Sequence, residues 1–459
     1  MKKSLMFAVL AAASFTNAYA QQEDADKYYL RNSLYMIKLD EVATNEEYAN
    51  AYEIMNTSYD QIDFAKNYER YNDFALGLRH IKFEDLPTVP QSEIDAIGKP
   101  TATEKAVDAF MKQQGFKKAN SLTEYEYAAR LGKYLEDQHI AQRLVAKWYN
   151  VPGTPDGKVN FDAQLQTITD LGLKGLSEEA KTSAGPDNIL TMAKGSTNKL
   201  LGNCYVCVNR YNYISADEYK GVTLAAAQIA AKLIPGGFGA IAYKAAELAV
   251  ASIKGYFVKV NSYLYQLDWS DALREKVETQ YWQDEATQQG LLNDANFKLK
   301  YIGKSSKNAP AALTFKASAL DKLIARGTIR ATDRAFAALQ RDHEEFRPMC
   351  SLQEKDGKLI AYIGMKEDIK SGDKFNVYKP VMNDDGTAKD VKEWKNVGTI
   401  KVNKGCVWDN RAGAGEVIEG EATDKKEKDD EEGSKAQWTE FKEKPSKNIY
   451  GGLMIRLTK

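Results

Sequence analysis

Apolar positions in this chain recur first with a mixture of strand and helix periods and then, towards the C-terminus, in short strand-like runs. Tyr28 to Asp40 (Tyr-Tyr-Leu-Arg-Asn-Ser-Leu-Tyr-Met-Ile-Lys-Leu-Asp) is rich in aromatic and branched residues and predicts a first strand. In Leu131 to Asn150, the residues Leu131, Tyr134, Leu135, Ala141, Leu144, Val145 and Trp148 fall on one helical stripe, with Lys133, Glu136, Arg143 and Lys147 away from it. That spacing predicts a single helix with its stripe in the core, stopped by Asn150-Val151-Pro152-Gly153. Strands are predicted over Asn203 to Ile214, Gly255 to Trp269 and Phe297 to Gly303. In the second, Tyr256, Val258 and Val260 share one face, and Phe257, Lys259 and Asn261 the other. Helices follow around Ser318 to Arg326 and Thr332 to Phe346. Strands interleaved with helices predict an α+β (or α/β) domain on a mixed sheet over residues 21–346.

From Pro348 the pattern turns to short strands and tight turns. Lys355-Asp356-Gly357-Lys358 is a type I′ hairpin signal between Met349 to Leu352 and Leu359 to Ile363. Lys374 to Tyr378, Val397 to Val402, Cys406 to Trp408 and Ile449 to Leu457 supply further strands, so residues 347–459 are expected to form a small all-β domain, a barrel or sandwich. Glu421 to Lys435 is nearly all charged and small residues; such a composition cannot bury a core, and a disordered, solvated loop is expected there.

One segment fits neither texture. Gly221 to Ile253 is alanine-rich and almost uncharged, and Pro235-Gly236-Gly237 breaks it in the middle. The reading is a helical hairpin with Leu224, Ile229, Leu233, Ile234, Phe238, Ile241, Leu248 and Ile253 as its apolar residues. Lys232, Lys244, Glu247 and Pro235 leave no uncharged run near the ~20 residues a bilayer span requires, so no transmembrane helix is expected. The hairpin either packs on the sheet built by its flanking strands, or it projects, to self-associate, bind an envelope protein or touch a membrane surface.

At the N-terminus, Lys2 and Lys3, the uncharged run Leu5 to Ala13 and Ala18-Tyr19-Ala20 are the parts of a secretory signal peptide over residues 1–20, cleaved before Gln21. An exported protein is therefore expected, in the periplasm, at the outer-membrane surface or outside the cell. The 459 residues carry 63 Lys plus Arg against 64 Asp plus Glu, a balance that argues against a nucleic-acid binder. The 26 tyrosines suit half-buried strands and binding faces alike.

Candidate chemistry is sparse. Cys204 and Cys207 form a C-x-x-C whose flanks read as a strand, which would send the two thiols to opposite faces and away from redox or zinc chemistry. Cys350 and Cys406 both fall on short strands of the C-terminal unit and, in an oxidising compartment, are expected to pair as a disulfide, two buried thiols being the alternative. His80, His139 and His343 lie far apart in the chain, so a metal site has no support. Neither G-x-S-x-G, H-E-x-x-H nor a Walker loop occurs, and no cofactor is expected.

Ile140 to Tyr149, Leu201-Gly202-Asn203 with its strand, and Tyr263 to Trp269 resemble a family of secreted Gram-negative envelope proteins without an assigned activity. The pattern Ile363-Gly364, Ile369 to Asp373 and Phe375 to Tyr378 resembles small SH3-like barrels of envelope assembly proteins. These resemblances imply a fold and an envelope address, and bring no site residues. The expected function is a non-enzymatic structural, assembly or partner-binding role; the alternative is a secreted hydrolase whose site is scattered in sequence.

Overall fold

Aromatic and β-branched runs pair where their apolar faces can be covered on both sides, and here they build one central mixed sheet. In the computed structural model, described for residues 29–30, 33–41, 46–62, 78–113, 122–149, 201–232, 234, 238–281, 285–344, 346–347, 349–379, 381, 393–422 and 437–458, the chain begins with β1 (Tyr29–Leu30) and β2 (Ser33–Asp40). It continues through α1 (Ala49–Asp60), β3 (His80–Lys82), α2 (Gln91–Ile97), α3 (Ala102–Gln113), α4 (Glu124–Asp137) and α5 (Ile140–Trp148). After β4 (Cys204–Ser215) come α6 (Ala216–Lys232), α7 (Phe238–Ala251), β5 (Tyr256–Leu267), β6 (Leu299–Pro310) and α8 (Leu320–Asp342). The sheet order is β3-β2-β4-β5-β6, with β3, β2 and β4 parallel and β5 and β6 antiparallel. The fold is α+β.

Both faces of this sheet are buried. Leu34, Met36, Cys207, Val258, Val260 and Leu264 face α1 and α8, whereas Tyr35, Ile37, Val206, Val208, Tyr263 and Tyr265 face α4. The face assignment expected for Tyr256 to Asn261 holds. The expected helix over 131–150 is two helices, because His139 adopts a left-handed backbone (φ 53°) between α4 and α5. Two cores share the stripe: Leu131, Leu135 and, beyond the turn, Leu144 enter one, and Ala141, Val145 and Ala146 of α5 a neighbouring one. Conversely, the two helices expected around Ser318 and Thr332 are one. Gly327 lies inside α8, and a Cβ there would stand 3.0 Å from Pro310 O and 3.2 Å from Val258 Cγ2, so the glycine serves close helix–sheet contact.

The C-terminal strands are β7 (Met349–Ser351), β8 (Gln353–Lys355), β9 (Lys358–Ala361), β10 (Lys374–Lys379), β11 (Lys395–Lys401), β12 (Thr439–Glu440) and β13 (Met454–Leu457). They form two antiparallel sheets, β1-β7-β13-β10-β11 and β12-β9-β8, which do not close into a barrel but share one core of Leu352, Leu359, Ile363, Phe375, Ile400 and Ile455. The type I′ turn is present, with Asp356 and Gly357 at φ 52° and 72°. It joins β8 to β9; Met349–Ser351 pairs instead with β13 and with β1. Of the expected disordered loop, residues 423–435 lie outside the described residues, while Ala422 N donates to Ala311 O (3.0 Å).

Candidate functional site

The helical hairpin stands where a tight turn would suffice. β4 and β5 are in register to their last residues, Ser215 opposite Tyr256, and Ala216 N already donates to Gly255 O at 2.8 Å. Instead of crossing at that point, the chain departs through α6 and returns through α7. Local chemistry makes these helices: Ser215 Oγ accepts from Glu218 N (3.2 Å), Asp217 and Glu218 complement the dipole of the first turn, and alanine has the highest helix propensity. The two helices touch closely, since a Cβ on Gly239 would lie 2.0 Å from Ala231 O.

The buried apolar cluster of the hairpin lies at its base, while Ala225 and Gly239 are buried where the two helices run past their neighbours. Ile214, Ala216, Val250, Ile253 and Phe257 form a small cluster, against which Leu224 and Tyr219 pack, Tyr219 stacking on Phe257 at 5.1 Å. Ile229 is half-buried, and Leu233 with the 235–237 turn lies outside the described residues. The remaining residues named from sequence point to solvent: Ile234 is 41% exposed, Phe238 67%, Ile241 66% and Leu248 65%. α6 packs on α3, and α7 packs chiefly on α6, which leaves α7 outermost. Among the described residues no helix is long and apolar enough to cross a membrane.

Two charged networks mark the end of the parallel strands, and neither was visible in the sequence. On the α4 face, the guanidinium of Arg210 lies 4.0 Å from the Tyr127 ring centroid, 2.6 Å from Glu124 Oε1 and 3.5 Å from Glu41 Oε2. Tyr263 donates to Glu124 Oε2 (2.6 Å) and Tyr127 donates to Glu41. Burial pushes the Glu124 carboxyl up, but Arg210 and the Tyr263 hydroxyl outweigh it and hold it below its ordinary value. On the other face His80 bridges two carboxylates, Nδ1 to Asp40 (3.0 Å) and Nε2 to Asp60 (2.7 Å), and Lys38 pairs with Asp40. The bond to Asp40 is the main reason that the His80 pKa is raised; partial burial opposes it. Lys38, Asn209, Ser262 and Ser305 lie directly opposite one another across four strands, all buried, with Ser262 Oγ donating to Asn209 Oδ1 (2.6 Å).

These carboxylates converge on cations rather than on open space, which is the arrangement of charges buried for structure. Partners 86 residues apart for Arg210 and Glu124 explain why no local motif announced them. The one trace was an arginine inside the aromatic and branched run Cys204 to Ile214.

A cleft of about 300 Å³ opens beside α4, lined among others by Ile97, Gly132, Leu135, Gln142, Tyr265 and Tyr301. Several of its polar groups are engaged: Tyr265 donates to Ala128 O, Gln142 to Asp294 O, and Lys133 pairs with Glu136 and Asp137. Among the described residues no three His, Cys, Asp or Glu side chains gather as a metal would need.

All four thiols are free. Cys204 and Cys207 sit on β4 in different cores, as the strand reading expected. The disulfide expected between Cys350 and Cys406 is not formed. Cys350 is buried on β7 in the shared core, whereas Cys406 lies half-buried near Glu440, Lys358 and Asn403, beside the other sheet. The expectation placed both on strands of one unit without seeing that the unit has two sheets. The chain matches no family model, no curated protein and no solved structure.

Proposed function

We propose that this is a non-enzymatic, exported protein of the cell envelope that binds a protein partner through its α6–α7 hairpin. The observation that carries the reading is the excursion itself. Two strands already in register need only a two-residue turn, yet the chain inserts two helices whose tip and outer face bear Ile234, Phe238, Ile241 and Leu248 in water. Exposed apolar side chains gathered on one element mark a contact surface. The signal-like N-terminus supports export.

The register makes the test clean. Replacing residues 217–254 by Asn-Gly, a type I′ turn, retains the Ala216–Gly255 hydrogen bond and every β4–β5 pair. The variant is expected to fold, melting cooperatively with a circular-dichroism spectrum that loses only the helical signal of α6 and α7, and to lose what co-purifies with the wild type from the cell envelope. Aggregation or loss of cooperative melting would make the hairpin core, and unchanged co-purification would put the contact elsewhere.

A further inference from the structure

We propose that the partner of the hairpin is a second copy of this chain, the two α7 helices packing antiparallel about a two-fold axis. The inference rests on the contact reading above and names its occupant. On the exposed side of α7, Phe238, Ile241, Ala245 and Leu248, with Ser252 just past the helix end, form one stripe, all exposed. Their spacing alternates three and four residues, the period at which one helix presents knobs to another. A lipid surface would call for a basic rim, but the charged residues of α7, Lys244 and Glu247, pair with each other at 2.6 Å and leave the face neutral.

The sizes along the stripe select self-association and its direction. Antiparallel pairing sets Phe238 against Leu248 of the partner copy and Ile241 against its Ala245, so that large meets large at the ends and large meets small in the middle. Parallel pairing would stack Phe238 on itself and face Ala245 with Ala245, leaving a gap that apolar packing penalises. Antiparallel helices also oppose their dipoles favourably. A seam of this length buries on the order of 1,000 Å² in total, the small end of specific interfaces, so a weak, concentration-dependent dimer is expected.

The test uses the full mature chain with Cys406→Ser, since Cys406 is the one cysteine not buried. Sedimentation across concentrations is expected to show a monomer–dimer equilibrium, weakened about ten-fold or more by Ile241→Glu with an unchanged melting temperature. Positions 238 and 248 are about 15 Å apart along one helix and cannot bridge within a chain. Under mild oxidation an equimolar mixture of Phe238→Cys and Leu248→Cys chains should therefore cross-link, while neither variant does so alone. Cross-linking of either variant alone overturns the antiparallel arrangement. A wild type that stays monomeric at all concentrations overturns self-docking; if the Asn-Gly replacement still strips the protein of its envelope partner, the contact reading stands with a different occupant. Early melting of Ile241→Glu would place Ile241 in the core and overturn both.

Discussion

Arg210 sits in mid-strand on β4, beside the end of β2, between two carboxylates and two tyrosines, with its side chain 11% exposed and that of Glu41 2% exposed. Removing one member of such a buried set leaves the others charged and desolvated, which typically costs about 3–5 kcal/mol. Arg210→Met is therefore expected to lower unfolding stability in urea by that amount, and Arg210→Met with Glu41→Gln to recover part of it; a loss under about 1 kcal/mol would mean the network contributes nothing. The same residues set a pH window. Glu124 has a lowered pKa in the fold, so its contribution is fully present above its ordinary value of 4.5 and is lost as pH falls through the lowered one. His80 has a raised pKa, so its contribution is fully present below 6.5 and is lost as pH rises through the raised value. These two groups place their combined contribution at its maximum between pH 4.5 and 6.5. Denaturant melts across pH check this, and the His80 imidazole, one of only three, can be followed by NMR; titration at or below 6.5 would contradict the bridge to Asp40 and Asp60.

Elements whose signals are local were legible in the sequence; elements defined by distant partners were not. Asp356-Gly357 announces its turn because a type I′ turn needs positive φ at both central residues, and it has them. The strands that this turn joins were misplaced by a few residues, since Met349–Ser351 is claimed by β13 and by Tyr29–Leu30 at the far end of the chain. Gly327 lies inside α8 although glycine lowers helix propensity, and the demand it answers comes from Pro310 and Val258 across the sheet interface. His139 breaks a helix without glycine or proline, and beyond it Leu144 and Val145 enter two different cores. The hairpin is the intermediate case. Its composition identified it as two helices, and Pro235-Gly236-Gly237 marked the turn, yet whether it was core or contact depended on the register of β4 and β5. Composition alone assigned Phe238 and Ile253 to the same apolar set; the fold exposes the first and buries the second.

At the scale of the whole molecule, α8 is the wall between the mixed sheet and the C-terminal sheets. Its apolar face carries Leu323, Ile324, Ala335, Phe336 and Leu339 into the core beneath β4 and β5. One arginine of α8, Arg334, donates to Asn308 O of β6, but the other three reach the other way. Arg326, 6% exposed, donates to Glu416 O (3.0 Å) and Glu421 Oε2 (3.1 Å); Arg330 donates to Ala412 O (3.1 Å); Arg341 donates to Asp373 Oδ2 (2.9 Å). Beyond the helix, Phe346 packs on Tyr205 with ring centroids 4.7 Å apart, and Arg347 donates to Leu457 O. The pairing of β1 with β7 also ties the start of the chain into the C-terminal sheet. Links of this kind, buried and hydrogen-bonded on both sides, couple the unfolding of one unit to that of the other, whereas surface pairs contribute little. The chain is therefore expected to melt in one calorimetric transition, with equal calorimetric and van't Hoff enthalpies, although its length would allow several. Arg326→Met combined with Arg341→Met should split that transition, the C-terminal sheets unfolding first because their core is the smaller. Two transitions in the wild type, or a double variant that still melts as one unit, would show that the arginines of α8 do not join the halves.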